Sequence, residues 1–226
     1  MLRSILQRSI ELSIIKMDQW LKGEPFLEVS FILPITDPKS TFLTYLIEKI
    51  RKLKYTVDVK EGNLDAVILS FGNDMPGFAK IPLVMHFPEE RKSELCIEEI
   101  AIGKALQFTF FFYGGKEDLK GQIGIRDDDL LKFTDLLRSL YHIFRFPLGI
   151  VAFETNCIEI IFSSDKTWPD DSYSPENINF EKLFKNIRAK PFVDLVYDSK
   201  QYPSNKLKIL FSDIGNDGVW VSRKWM

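Results

Sequence analysis

Histidine and cysteine are nearly missing from this chain. Its 226 residues include two histidines, His86 and His142, and two cysteines, Cys96 and Cys157, none of them close to another in sequence. The commonest general bases, soft nucleophiles and metal ligands are therefore scarce. Two distant cysteines make no disulfide framework, which points to a reducing compartment. Long apolar runs are also lacking, and none approaches the roughly 20 residues of a membrane span. A formal charge of −2 gives no general attraction to nucleic acid or anionic membrane. The first residues carry the Arg and Ser of a transit peptide, but Glu11 and Asp18 interrupt them and no signal-peptide core follows. No Gly-rich turn is followed by Lys-Ser/Thr, so a Walker-type nucleotide site is not expected. These absences predict a soluble, cytoplasmic protein with no cofactor and no metal.

Phenylalanine is abundant, with 19 copies. Phe has no polar tip to satisfy, so the reading is a Phe-rich core. A Phe-lined ligand pocket is the alternative.

Residues 2–22 predict an amphipathic helix. Leu6, Ile10, Ile14, Met17 and Leu21 recur at three- and four-residue steps, and Gly23 and Pro25 end the run. Residues 26–35 predict a central strand, because Phe31-Ile32-Leu33 is apolar on both faces. Asp37 and Pro38 open a helix that buries Leu43, Leu46, Ile47, Ile50 and Leu53. Strands follow at 55–60, 66–71 and 80–87, the last placed at an edge because of Pro82. Residues 88–104 fit neither period cleanly and are assigned as strand. Further strands are expected at 107–113 and 122–125. Residues 127–146 form the second strong helix, with Leu130, Phe133, Leu137, Leu140, Tyr141 and Phe144 on one face. A hairpin around Thr155-Asn156 joins expected strands at 149–154 and 158–163. A polar loop over 164–178 precedes a short helix at 179–188. Strands at 192–197, 206–211 and 219–222 finish the chain, with Gly215-Asn216-Asp217-Gly218 as a tight turn. The fold class is α+β: mostly antiparallel sheet with three or four helices, in a single domain over 1–226 that could subdivide near 147–175.

Several clusters invite a functional reading. Asp127-Asp128-Asp129 resembles a hard-cation site, but adjacent helical side chains diverge, and Asp is favoured where a helix begins. Arg51, Lys52, Lys54 and Lys60 beside Tyr55 suggest a nucleic-acid grip or, more simply, a helix end matched to its dipole. His142 has no carboxylate at helical spacing to orient it, and His86 has no catalytic neighbour in sequence. Cys96 and Cys157 sit among isoleucines, as inert buried thiols do. Trp220, Arg223, Lys224 and Trp225 could make a docking patch, although Trp220 alone reads as core.

Pro169-Asp170 and Asp198-Ser199-Lys200 resemble the Pro-Asp…(Asp/Glu)-x-Lys pattern of a large nuclease superfamily. That resemblance implies Mg²⁺ held by Asp170 and Asp198, with Lys200 orienting the attacking water. The context departs from the pattern, because Asp170 falls in a loop and a helix intervenes before Asp198.

The leading expectation is a non-catalytic interaction or assembly module, using a protein partner or self-association through Leu6, Ile10, Ile14, Met17 and Leu21. A metal-dependent nuclease or phosphodiesterase using Asp170, Asp198 and Lys200 is the alternative. A small-molecule sensor with a Phe-lined pocket is the third reading.

Overall fold

The computed structural model describes residues 26–36, 39–53, 57–59, 77–86, 90–100, 104–113, 127–165, 175–187, 190 and 192–223. The expected helix over 2–22 and the expected strands over 66–71 and 122–125 lie outside these residues.

The strands are β1 (Phe26–Pro34), β2 (Val57–Val59), β3 (Phe78–His86), β4 (Glu90–Ile100), β5 (Ala105–Tyr113), β6 (Leu148–Phe153), β7 (Phe192–Asp198), β8 (Ser212–Gly215) and β9 (Gly218–Ser222). They form one sheet in the order β2-β3-β4-β5-β1-β6-β7-β9-β8. Every neighbouring pair is antiparallel. The helices are α1 (Lys39–Arg51), α2 (Asp127–Phe144), α3 (Cys157–Asp165) and α4 (Phe180–Asn186). None of them is long and apolar enough to cross a membrane. Strands from before and after 147–175, β1 to β5 and β7 to β9, share the same sheet.

β1 occupies the centre, between β5 and β6. Its alternate residues feed two different cores. Leu27, Val29, Phe31 and Leu33 join one, and Ile32 joins the other. The first core lies under α1 and α2. Leu43, Leu46, Ile47, Ile50 and Leu53 are buried there as their spacing requires, with Phe133, Leu136, Leu137, Leu140 and Tyr141 from α2. Phenylalanine fills this layer: Phe31 stacks on Phe108, Phe144 and Phe146 at ring distances of 5.2, 5.6 and 5.0 Å. The second core lies under α3 and α4, against β6, β7 and β9.

Three elements differ from expectation. β3 is one strand in from the edge. Within the described residues, β2 pairs with Leu83–Met85 of it. The second half of the expected hairpin is helix α3. Its start is a reciprocal cap, in which the Glu159 N–H donates to Asn156 Oδ1 (3.1 Å) and the Asn156 N–H to Glu159 Oε2 (3.1 Å). Lys206 ends a 3-10 turn (Ser204–Lys206), residues 207–211 are irregular, and the strand begins only at Ser212. Leu207 and Ile209 still pack on the second core, so the apolar residues are satisfied without a strand. Asn156→Ala removes the cap and should cost about 0.5–2 kcal/mol, read as a lower urea midpoint at unchanged slope.

The Gly215–Gly218 turn forms as expected. Asn216 and Asp217 both take the left-handed conformation, at φ 57° and 65°, as a two-residue hairpin loop demands.

Candidate functional site

Two polar groupings stand out among the described residues. The first sits where the end of α2, the end of β7 and the β8–β9 turn meet. Tyr141 Oη donates to the Asn216 carbonyl (3.1 Å), and an Arg145 guanidinium N–H donates to the same oxygen (2.9 Å). Arg145 itself holds φ 52°, the left-handed end of α2, and its N–H closes the helix on the Tyr141 carbonyl. Asn216 Nδ2 lies 3.2 Å from His142 Nδ1. Desolvation, then Arg145 and Arg138, lower the His142 pKa. Its ring is therefore neutral at pH 7. With Nδ1 as acceptor, the ring proton sits on Nε2.

Asp198 and Lys200 belong to this grouping. Asp198 Oδ1 accepts the Lys200 backbone N–H (2.8 Å), an Asx turn at the end of β7. Lys200 Nζ pairs with Asp217 Oδ2 at 2.8 Å, and this partner raises its pKa. Burial and then the Asp198 charge push Tyr141 up to about 12. Each charged group here has a turn to hold. The arrangement can lock the hairpin against α2, and no carboxylate among the described residues is hydrogen-bonded to His142.

The second grouping is the half of the sheet face opposite α1 and α2 that lies on β3, β4, β5 and β1. Lys80, Cys96, Thr109 and Ser30 make one row across the four strands. Glu94, Phe111 and Glu28 make the next row. Part of this polarity serves α3. The Cys157 N–H donates to Ser30 Oγ (3.0 Å) and the Ile158 N–H to Gln107 Oε1 (3.0 Å). With Asn156, these side chains satisfy the first turn of the helix.

Glu28 is different. It is 3% exposed, and its Oε2 has no hydrogen-bond partner among the described residues. Desolvation, then the charges of Glu159 and Glu154, raise its pKa to about 8. Glu94 is equally buried, and its Oε1 lies 3.2 Å from Lys80 Nζ without the alignment of a hydrogen bond. Desolvation and then Glu159 raise Glu98.

No protein family, curated protein or solved structure matches this chain.

The remaining sequence candidates fall as follows. Leu6, Ile10, Ile14, Met17, Leu21 and Asp170 lie outside the described residues, as do Lys54, Tyr55, Lys60, Lys224 and Trp225. Asp127 opens α2, the position that capping and dipole favour. Both thiols are buried and pushed up to about 12, chiefly by desolvation, so they are protonated and inert at neutral pH. Trp220 packs against the first core; its Nε1 donates to Asp194 Oδ1 (3.0 Å), and Arg138 lies over its ring. Thr134 of α2 donates to the other Asp194 oxygen, pinning helix to sheet. Among the described residues, no three His, Cys, Asp or Glu side chains are placed to hold a metal.

The sequence reading missed Glu28, Glu94, Gln107 and Asp194. In sequence each is a polar residue in an expected strand, which resembles a solvated position. Only their burial in the folded sheet sets them apart.

Proposed function

We propose that this chain is a non-catalytic protein-interaction or assembly module. In this reading the stripe Leu6, Ile10, Ile14, Met17 and Leu21 is its principal contact and the cytoplasm its location. The structural observation that supports it is a pair of large apolar side chains left in solvent. Leu210 and Phe211 are 68% and 42% exposed, and they lead directly into β8, the outermost strand of the described sheet. Adjacent exposed apolar residues beside a sheet edge are the usual material of a docking surface. The engagement of Asp198 and Lys200 in turn contacts also favours binding over phosphodiester chemistry.

The test is sedimentation equilibrium of the whole chain beside Ile10→Asp/Ile14→Asp, with melting curves for both. The expected result is self-association that the double substitution abolishes while a cooperative melt persists. An unchanged mass and an unchanged melting temperature would show that the stripe is neither interface nor core.

A further inference from the structure

We propose that the outer edge of β8 takes up an extended segment of another protein, apolar and acidic in alternate residues, as one further strand of the sheet. The proposal rests on the interaction reading and adds to it a second contact with its own partner. β8 is last in the strand order, so its outer edge is unpaired among the described residues. Ile209 and Leu210 stand before the first β8–β9 pair, Ser212 with Trp220. Leu207 and Ile209 pack on the second core and Ile214 on the first. That is the alternation of an extended chain, so the run into β8 can straighten onto a partner without turning a buried side chain out. Leu210 and Phe211 are 68% and 42% exposed beside the edge. A free edge flanked by large apolar side chains supplies both parts of strand addition: backbone groups for affinity and side-chain contacts for selection.

Charge selects the partner. Lys206 and Lys208 are exposed on the same stretch, and neither is in a salt bridge among the described residues. The two carboxylates of the β8–β9 hairpin are already engaged. Asp213 Oδ1 accepts the Gly215 N–H at 2.7 Å, and Asp217 Oδ2 pairs with Lys200 Nζ at 2.8 Å. The edge therefore offers an arriving strand two cations and two apolar side chains. An acidic segment gains from both lysines, whereas a basic one is repelled. A second copy of this chain fits less well. Pairing β8 with its own symmetry mate brings another Lys206 and Lys208 to the same edge, with only the engaged carboxylates of that hairpin to offset them.

The probe is the blocked peptide acetyl-Glu-Leu-Glu-Val-Glu-Leu-amide, titrated calorimetrically into the full chain near neutral pH. The expected result is saturable binding with Kd in the millimolar range or tighter. Binding should weaken at least about tenfold in Lys208→Glu, in Phe211→Asp, and with a peptide in which lysine replaces each glutamate. It should be lost with the peptide methylated on its backbone nitrogens, which keeps every side chain but cannot donate to a strand. Lys208 and Phe211 are exposed, so both variants should keep the wild-type melting temperature. Ile10→Asp/Ile14→Asp should bind the peptide as wild type does, so failure of the N-terminal contact and failure of the edge are read separately. No saturable heat up to about 10 mM, equal affinity for the two charge forms of the peptide, or undiminished binding of the methylated form overturns the proposal. Self-association of the chain that Phe211→Asp abolishes would assign the edge to a second copy and overturn it as well.

Discussion

Phe133→Ala will destabilise the protein by about 3–5 kcal/mol, because Phe133 is fully buried and its loss leaves a cavity as well as lost transfer energy. Its ring meets Phe112 edge-on at 4.7 Å, so helix α2 and strand β5 lose a specific contact together. Phe31→Ala should cost a similar amount, since Phe31 stacks on three other rings from β5, α2 and the segment after α2. Leu131→Ala is the control. Leu131 is 53% exposed on the opposite face of α2 and should change stability by less than about 1 kcal/mol. Equilibrium urea unfolding checks all three. A near-neutral Phe133→Ala would mean that α2 does not pack on this sheet face.

The second large effect is electrostatic. Glu28 titrates near 8 in the folded chain, against an ordinary value of 4.5, chiefly through desolvation. Between those values the folded state holds a proton that the unfolded state has released. Stability therefore falls as pH rises from about 4.5, by up to about 1.4 kcal/mol per pH unit, and this loss levels off above 8. Glu28→Gln fixes the uncharged form. It should match wild type near pH 5 and exceed it by a few kcal/mol near pH 8.5. Melting temperatures of the two proteins across this range give the difference directly, since every other titrating group is common to both. Parallel curves would show that Glu28 is solvated or paired.

Helices α1 and α2 were legible because their apolar residues repeat at three and four positions, and both bury the faces those repeats select. The central place of β1 was legible from Phe31-Ile32-Leu33, apolar on both sides. The Gly215–Gly218 turn was legible because two successive left-handed residues demand Asn, Asp or Gly. Helix α3 was misread for a physical reason. Ile158, Ile160 and Ile161 are β-branched, and Thr155-Asn156 resembles a turn. The capping pair Asn156 and Glu159, three residues apart, was present and outweighed that propensity. Lys206–Phe211 was read as strand from its composition, although Leu207 and Ile209 find their burial from an irregular path.

The site was less legible than the fold. Asp198 and Lys200 were chosen for their two-residue spacing, and that spacing is also what an Asx turn at a strand end requires. Glu28 drew no notice because its meaning comes from β4, β5 and α3, which lie 60 or more residues away in sequence. A row across a sheet is a product of strand order, and strand order is not written locally.

The most direct test of the claim that this chain binds rather than cuts is a cleavage assay. Purified protein is incubated with single- and double-stranded DNA and RNA in the presence of Mg²⁺ or Mn²⁺, beside Asp198→Ala and Lys200→Ala. No cleavage is expected from any of the three, and the two variants should melt at a lower temperature, because each loses a contact of the β7 and β8–β9 turns. Metal-dependent cleavage by the wild-type chain, abolished in both variants, would contradict it.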